Sequence, residues 1–233
     1  MRVAILGYGK MGKEIEQIAL ERGHDIALKV SSDTKSFSLN NCDVAIDFSL
    51  PSTAVANISR CLEEGVPVIS GTTGWLDAYD DVVAKCKSVN GTFLYASNFS
   101  LGVNIFFELN RNLTELLNKF PQYIPSIEEI HHTQKLDAPS GTAISLAEDI
   151  IKDSSYKNWT LEAPKKDEIG IVAKRISQVP GTHEVNFDSE VDSIQIKHTA
   201  HSRKGFALGA VIASEFIHDK KGVFTMKDVL NIS

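Results

Sequence analysis

The chain has 233 residues, of which 42% are hydrophobic and 23% are charged, which is the balance of an ordinary globular protein. This composition excludes a disordered chain, a collagen and a small disulfide scaffold, and the length allows one large domain or two small ones. Lysine and arginine number 24 against 30 acidic residues, for a formal net charge of -6. We predict no nucleic-acid partner, because a duplex-binding surface needs a basic excess.

Cysteine usage and apolar runs predict the compartment. Cys42, Cys61 and Cys86 are sparse, odd in number and without motif spacing, which is typical of reduced thiols in the cytoplasm. No run approaches the roughly 20 apolar residues of a membrane span, and the apolar stretch at residues 3–6 is too short for a signal peptide. We therefore expect a cytoplasmic protein with no membrane partner.

Strands and helices alternate over residues 1–100. A short apolar run closed by glycines predicts a buried strand at 3–6, and further strands are predicted at 26–30, 44–48, 67–70 and 92–96. Helical spacing of apolar residues predicts helices from Met11 to just before Gly23, at 51–64 and at 75–88. This alternation predicts parallel βαβ units, and hence a Rossmann-type, doubly wound parallel sheet in a dinucleotide-binding domain over 1–100.

The pattern changes after residue 100. A long amphipathic helix is predicted at 101–120, and the later strands lengthen and alternate, most clearly at 193–200. The runs on either side of Pro180-Gly181 predict a hairpin. We expect an α+β domain with an open mixed sheet at 101–205, for substrate binding and oligomerisation. Helices at 206–218 and 225–230, the second beginning with a capping box at Thr225 and Asp228, would return to complete the first domain.

A glycine motif lies between the first strand and the first helix. The residues Gly7-Tyr8-Gly9-Lys10-Met11-Gly12 fit G-x-G-x-x-G in the strand–helix context that makes this pattern meaningful. Gly7 permits a tight turn, Gly9 lets the backbone approach a pyrophosphate, and Gly12 allows close helix packing. We predict that residues 7–12 bind a dinucleotide; the alternative is a strand–helix turn without a ligand.

The second strand ends without the acid of an NAD-preferring site. That acid usually follows about 20 residues after the glycine motif, and here Ser31-Ser32 stand there with Lys29 and Lys35 nearby, unless Asp33 holds the ribose. Serines and lysines would tolerate a 2′-phosphate, so we expect NADPH to be slightly favoured over NADH.

Two later loops follow strand ends, where open parallel sheets bind ligands. They are Gly71-Thr72-Thr73-Gly74 and Ser97-Asn98-Phe99-Ser100. We predict that both contact the nicotinamide half of the cofactor, although ordinary turn chemistry explains these residues equally well.

The segment at 129–143 leaves a strand, crosses a polar loop and begins a helix. Ser140 is the predicted N-cap, and the free N–H groups of Ser140, Gly141 and Thr142, together with Lys135, suit a carboxylate. Adjacent strand residues face opposite ways, so His131 and His132 cannot easily share one metal ion, and we expect no metal. General acid–base catalysis fits better; the alternative is one structural histidine and a solvated lysine.

The same segment resembles the dihydrodipicolinate reductase family. Its His-His-x-x-Lys-x-Asp-Ala-Pro-Ser-Gly-Thr signature is complete across 131–142, and further family-like pieces lie at 7–12, 44–48, 71–74, 97–104 and 196–210. The resemblance implies NAD(P)H-dependent reduction of the cyclic dicarboxylate 4-hydroxy-tetrahydrodipicolinate, with loss of water, in the diaminopimelate route to lysine. It also implies a cytoplasmic homotetramer.

The resemblance implies a role for each matching residue. His131 would be the acid/base residue and Lys135 the proton donor, and His132, Ser140, Gly141 and Thr142 would bind the substrate. The 7–12 loop, Gly71-Thr72-Thr73 and the 97–100 loop would line the cofactor. The chain departs from the family around 33–41, where it is shorter than most members. The alternative function is that of another two-domain NAD(P)-dependent oxidoreductase acting on a small carboxylic acid; a non-enzymatic dinucleotide sensor would leave the 131–142 segment unexplained.

Overall fold

The strands, in chain order, are β1 (Arg2–Leu6), β2 (Asp25–Val30), β3 (Val44–Asp47), β4 (Val68–Ser70), β5 (Thr92–Tyr95), β6 (Ile124–His131), β7 (Asn158–Thr160), β8 (Glu168–Arg175), β9 (Gly181–Asp188), β10 (Ser193–Ala200) and β11 (Gly222–Phe224). The helices are α1 (Lys10–Glu21), α2 (Pro51–Glu63), α3 (Tyr79–Ser88), α4 (Leu101–Leu117), α5 (Gly141–Lys152), α6 (Lys204–Ile217) and α7 (Met226–Leu230), with a 3-10 turn at Leu76–Ala78.

The computed structural model describes residues 1–232. They form two units, one of Met1–Leu101 with the segment that begins at Arg203, and one of Gly102–Ser202. Within residues 1–232, no helix is long and apolar enough to span a membrane.

The first unit is built on a six-stranded sheet in the order β11-β5-β4-β3-β1-β2. Every neighbouring pair in it is parallel. Helices cover both faces: Ile15 of α1 and Ala210 of α6 belong to one buried core, and Ile58 of α2 and Val82 of α3 to the other. This arrangement confirms the predicted Rossmann-type, doubly wound parallel sheet. Strands that are covered by helices on both faces appear in the sequence as continuous apolar runs, which is why the pattern could be recognised.

The C-terminal segment contributes a strand that the sequence pattern does not reveal. β11 has three residues, too few to show a period, and pairs in parallel with β5 at the edge of the sheet. The preceding helix α6 packs on α1, and the side chains of Arg22 and His24 both contact the carboxylate of Glu215 at 2.7–2.8 Å. Thr225 caps α7, and the predicted capping box with Asp228 is confirmed.

The second unit has a five-stranded sheet in the order β10-β9-β6-β8-β7. The pairs β6–β8 and β7–β8 are parallel, whereas β6–β9 and β9–β10 are antiparallel, so the predicted mixed sheet is confirmed. One core joins this sheet to its helices, and Phe106 of α4 and Leu146 of α5 pack there against Ile127 of β6.

The hairpin predicted around Pro180-Gly181 is wrong. β8 and β9 both pair with β6, which lies between them. The register places Ile127 of β6 opposite both Ile171 of β8 and Val185 of β9, and all three side chains are buried. Burial of this apolar row stabilises the arrangement more than a local turn can, because each fully buried aliphatic side chain contributes about 1.5–3 kcal/mol.

Candidate active site

Two glycines determine the shape of the loop between β1 and α1. Gly7 has a φ of 99°, and a Cβ atom there would lie 2.1 Å from the carbonyl oxygen of Phe48. A Cβ atom on Gly12 would lie 2.5 Å from the carbonyl oxygen of Gly7. Neither position has room for a side chain. Glycine at both positions therefore allows the start of α1 to pack directly against the end of β1.

The space beside Gly9 is open instead. Gly9 is the N-cap of α1, makes no side-chain cap, and has nothing within 4 Å of its Cβ position. The N–H groups of Lys10 and Met11 in the first helical turn have no intrahelical acceptor, and the positive end of the helix dipole lies there. The loop therefore fits the phosphates of a dinucleotide.

A cleft of about 400 Å³ lies beside this loop. The predicted cofactor residues that line it are Gly7, Tyr8, Gly9 and Ser31. Further lining residues, most of them without any assignment from the sequence, are Val30, Ser32, Thr34, Phe37, Phe48, Ser49, Leu50, Thr53 and Asn57. The predicted cofactor residues outside this lining are Lys10, Met11, Gly12, Gly71, Thr72, Thr73, Ser97, Asn98, Phe99 and Ser100.

Two of the predicted cofactor residues outside this lining, Gly71 and Phe99, pack against Phe48. A Cβ atom on Gly71 would lie 2.3 Å from the Phe48 ring, so only glycine allows the ring its place. The Phe99 ring is 5.6 Å from the Phe48 ring, centroid to centroid, and is buried. The two loops therefore support one apolar surface of the cleft.

A buried carboxyl group ties the strand ends together. Asp47, the last residue of β3, accepts hydrogen bonds from the hydroxyls of Ser49, Ser70 and Thr72 and from the amide of Asn57, at 2.7–3.2 Å. Burial raises the pKa of this carboxyl group, and the four donors oppose the change. Thr72 also accepts a hydrogen bond from the backbone N–H of Ser49 at 2.9 Å, which joins the predicted Gly71–Thr73 loop to the cleft.

Hydroxyl groups take the place of an acid at the end of β2. The N–H of Ser31 donates to the Thr34 hydroxyl at 3.0 Å, and among the lining residues of the cleft none is acidic. Lys29 is engaged elsewhere: its ammonium group pairs with the Glu16 carboxylate and lies 4.9 Å from the centroid of the Tyr8 ring. Hydrogen bonds from Lys29 and Tyr8 lower the pKa of Glu16.

In the second unit, β6 carries the first predicted catalytic residue at its end. Burial alternates along this strand, so that Glu129 and His131 face the core, and His131 is 8% exposed. His132 follows the strand, and its carbonyl oxygen accepts a hydrogen bond from the N–H of Lys135 at 3.1 Å. This turn brings Lys135 back beside its own loop, where its ammonium group lies 2.7–2.8 Å from both carboxylate oxygens of the exposed Asp137.

The helix start that follows offers backbone N–H groups. Ser140 is the N-cap of α5, as predicted, and its hydroxyl accepts a hydrogen bond from the N–H of Ala143 at 3.2 Å. Nothing lies within 4 Å of a Cβ atom built on Gly141, and Thr142 is half-buried. An anion therefore finds both room and donors at this helix end.

Glu129 is the centre of the buried polar cluster. Its side chain is 0% exposed, and Oε1 accepts hydrogen bonds from Nη2 of Arg175 at 3.0 Å and from the N–H of Ser140 at 3.2 Å. Oε2 lies 2.6 Å from Nδ1 of His131. Burial alone would raise the pKa of Glu129, but His131, Ser140 and Arg175 outweigh that effect and lower it to about 2.

His183 completes the cluster from the neighbouring strand. Its ring centroid is 5.0 Å from that of His131, and its Nε2 lies 3.0 Å from the Ser140 hydroxyl. Burial lowers the pKa of His183 to about 4, and the nearby charge of His131 acts in the same direction. At neutral pH, His183 is therefore uncharged.

The same cluster contains a set of potential metal ligands. One ligand atom from each of Glu129, His131 and His183 lies within 4.8 Å of the others. Two ligands of a tetrahedral zinc ion are about 3.3 Å apart, whereas Oε2 of Glu129 and Nδ1 of His131 are 2.6 Å apart. With the guanidinium group of Arg175 on the other oxygen, the donor set fits an ion pair better than a metal centre.

Glu129 and His183 have no functional assignment from the sequence, for two different reasons. Glu129 lies two residues before His131, so strand alternation could have placed both on one face. His183 is 52 residues further along the chain, and it becomes a neighbour only because β9 pairs with β6. That pairing could not be predicted once β9 was assigned to a hairpin with β8.

A Rossmann-type unit joined to an α+β unit with clustered titratable side chains is the architecture of two-domain oxidoreductases that use nicotinamide nucleotides. Two family models match the chain: dihydrodipicolinate reductase, N-terminus, over residues 1–99, and dihydrodipicolinate reductase, C-terminus, over residues 102–230. The chain belongs to the dihydrodipicolinate reductase family.

Individual relatives agree with this membership. A 4-hydroxy-tetrahydrodipicolinate reductase of Christiangramia forsetii is 53% identical over 234 residues, which covers 99% of this chain and 98% of that protein. One from Methanococcoides burtonii is 37% identical over 227 residues, covering 94% and 85%. Among solved structures, dipicolinate-bound dihydrodipicolinate reductase from Paenisporosarcina sp. TG-14 shares the fold, with a TM-score of 0.78, 23% identity and 97% of each chain covered.

Proposed function

We propose that the chain catalyses the NAD(P)H-dependent reduction of 4-hydroxy-tetrahydrodipicolinate to tetrahydrodipicolinate, with loss of water, in the diaminopimelate route to lysine. The 53% identity to a reductase of that name, over 99% of the chain, is the observation that carries this proposal. The balanced reaction consumes one hydride and one proton and releases one water molecule. The residues of this chain must therefore bind a dicarboxylate, hold a reduced nucleotide and deliver a proton.

The cofactor, NADPH or NADH, supplies the hydride when bound. The amides at the start of α1 and the open space beside Gly9 support pyrophosphate binding by the 7–12 loop. Ser31 would lie at the adenosine ribose, and with no acid in the lining of the cleft to repel a 2′-phosphate, NADPH is slightly favoured. The Gly71–Thr73 loop and the Ser97–Ser100 loop would act partly through Phe48, which Gly71 and Phe99 hold in place.

His131 and Lys135 would deliver the proton. An imidazolium and an ammonium group can each donate a proton, so either side chain can serve as the acid. His131 is supported by a buried carboxylate at 2.6 Å. Such acid catalysis contributes about 10²–10⁴ in rate.

One carboxylate of the substrate would bind at the start of α5. The N–H groups of Gly141 and Thr142 and the half-buried His132 would bind the dicarboxylate, and Lys135 would add a full charge. Ser140 would contribute as the N-cap that sets the helix start, because its own N–H already donates to Glu129. In the free protein, Lys135 pairs with the exposed carboxylate of Asp137 at 2.7–2.8 Å. A substrate carboxylate would replace that partner with one of the same chemistry, which supports the assignment.

We infer in addition that the reaction uses no bound metal ion, since the polar cluster around Glu129 has the spacing of an ion pair. We also propose a cytoplasmic homotetramer. The second unit supports the association of copies, because α4 and α5 cover one face of the sheet while the other face carries exposed apolar residues, with Val172 53% exposed and Ile124 60% exposed. Light scattering would give the mass, and Val172→Glu should dissociate the assembly.

The decisive experiment is a coupled assay in which dihydrodipicolinate synthase generates the substrate and oxidation of NADPH or NADH is followed. We expect turnover with both cofactors and a KM for NADPH no higher than that for NADH. A strong preference for NADH would contradict the cofactor assignment. Turnover only with a different small carboxylic acid would establish the alternative, another two-domain NAD(P)-dependent oxidoreductase.

A further inference from the structure

We propose that Glu129 is a positioning residue for His131: its buried carboxylate holds Nδ1 of the imidazole and leaves Nε2 as the ring nitrogen that exchanges a proton. The inference rests on the acid–base role proposed above for His131. It assigns a function to a side chain that does not itself need to touch the substrate.

The first support is the isolation of the two contacting atoms. Glu129 and His131 lie two residues apart on the buried face of β6, and Oε2 is 2.6 Å from Nδ1. Among residues 1–232, neither atom has an aligned hydrogen-bond partner, so the 2.6 Å contact between them is an ion-pair contact. Each atom is therefore compensated by the other, because a buried charge without a partner is strongly unfavourable.

The second support is the rigidity of the carboxylate. The other oxygen, Oε1, accepts from Nη2 of Arg175 on β8 at 3.0 Å and from the N–H of Ser140 at the start of α5 at 3.2 Å. Arg175 lies opposite His131 in the register of β6 and β8, so the same pair of strands holds both ends of the contact. With one oxygen held from two further elements, Glu129 cannot rotate away from the imidazole.

The third support is that the neighbouring imidazole has a different partner. His183 lies opposite Glu129 in the sheet, yet its Nε2 is 4.0 Å from Oε2 and only 3.0 Å from the Ser140 hydroxyl. The short contact of the carboxylate is therefore to His131. The hydroxyl of Ser140 is the hydrogen-bond partner of His183, so the Glu129 carboxylate makes its short contact with only one of the two imidazole rings.

The fourth support concerns the opposite edge of the His131 ring. A Cβ atom on Gly181 would lie 3.1 Å from Nε2 of His131, closer than side chains normally pack. The glycine thus leaves Nε2 free of a side chain at that edge, while Nδ1 faces the carboxylate. An imidazole with one nitrogen against a carboxylate and the other beside a glycine, where no side chain occupies that edge, can exchange a proton through the second nitrogen.

The test compares Glu129→Gln with Glu128→Gln, a neighbour on the opposite face of β6 that pairs with Lys174. The glutamine keeps the shape and an acceptor for Arg175 and Ser140 but loses the charge. We expect kcat to fall by about tenfold to a hundredfold, with the KM for both substrates within twofold of wild type. Glu128→Gln should leave kcat unchanged. An unchanged kcat in a folded Glu129→Gln protein would overturn the proposal.

A double variant shows whether Glu129 acts through His131. The combination of Glu129→Gln with His131→Ala should be no slower than His131→Ala alone, since a positioning residue has nothing left to position. Additive losses would show that Glu129 acts independently and would contradict the proposal. If His131→Ala itself turned over normally, the acid–base assignment in the proposed function would fail instead.

A spectroscopic readout needs neither activity nor a stable Glu129 variant. In wild-type protein labelled with ¹⁵N-histidine, with His131 resonances assigned by their loss in His131→Asn, we expect Nδ1 to carry the proton when the ring is neutral. A neutral ring protonated at Nε2 would overturn the proposal. Zinc titration of the same sample provides the remaining outcome: stoichiometric shifts of both His131 and His183 would show a metal centre and would also overturn it.

Discussion

Glu129 of β6 lies directly opposite His183 of β9, and both side chains are buried. The two groups nevertheless titrate far from their usual range and stay 4.0 Å apart at their closest polar atoms. The pKa of Glu129 is lowered to about 2 and that of His183 to about 4. At neutral pH, the fold therefore contains a buried carboxylate beside a neutral imidazole.

We predict from this pair that the protein loses stability in two steps as the pH falls. Between pH 6.5 and 4, the unfolded chain protonates His183 while the folded protein does not, so the free energy of unfolding falls by up to about 1.4 kcal/mol per pH unit. Between pH 4.5 and 2, the same argument applies to Glu129, which is ionised in the folded protein and protonated in the unfolded chain.

Urea unfolding at a series of pH values measures this dependence. His183→Gln should remove about 3 kcal/mol of the difference between pH 7 and pH 4. His218→Gln is the control, because His218 lies in the first unit beside the exposed Asp219 and outside this cluster. An unaltered slope in the His183 variant would show that the imidazole is protonated in the folded state as readily as in the unfolded chain.

The proposed proton donors make a kinetic prediction. His131→Ala and Lys135→Ala should each lower kcat by about 10²–10⁴, with the cofactor Kd little changed, since neither residue lies in the first unit. Steady-state assays and the fluorescence of bound reduced cofactor measure the two quantities. Lys174→Ala is a matched control, because this lysine pairs with Glu128 on the opposite face of β6. Near-normal turnover in either variant would contradict the assigned role.

The first half of the fold is predictable because its information is local. In βαβ units each strand is followed by the helix that covers it, so the periods along the chain are enough to recognise the class. The second sheet is different, since β6 pairs with strands that follow it by about 40 and 50 residues. The turn at Pro180-Gly181 suggests a hairpin between β8 and β9, which do not pair with each other. Only the buried row through Ile127 determines that order.

The candidate site divides in the same way, into residues that a local motif reveals and residues that only strand pairing brings together. His131, Lys135 and Ser140 are near one another in the sequence and form a recognisable motif. His183 and Arg175 reach the cluster only through the order of the strands, so no local pattern reveals them. In the first unit, likewise, most of the cleft's lining comes from two regions without a glycine motif: the end of β2 with the segment after it, and the residues between β3 and α2 with the first turns of α2.

The proposed anion site at α5 predicts a change in substrate binding without a change in stability. Gly141→Ala places a methyl group in open space at the first helical position, so the melting temperature should stay within a degree or rise slightly. The KM for the dicarboxylate should rise about tenfold, which corresponds to ~1.4 kcal/mol, because the methyl group obstructs the approach to the N–H groups. An unchanged KM would place the carboxylate elsewhere.

Metal removal gives a further prediction. Exhaustive dialysis against 1,10-phenanthroline and EDTA should leave kcat and KM unchanged, because the spacing within the Glu129 cluster is that of an ion pair. Metal analysis of the dialysed protein confirms the removal. A loss of activity that zinc restores would show that Glu129, His131 and His183 serve as ligands.

The glycine loop predicts opposite results for two neighbouring glycines. Gly9→Ala introduces a methyl group with nothing within 4 Å, so the folded protein should keep its melting temperature while the Kd for NADPH rises at least tenfold, since the backbone can no longer approach the pyrophosphate closely. Gly7→Ala should instead destabilise the first unit, because its φ is 99° and its methyl group would lie 2.1 Å from the carbonyl oxygen of Phe48. Calorimetry measures both quantities. Equal cofactor affinity in wild type and Gly9→Ala would show that the dinucleotide does not bind at this loop.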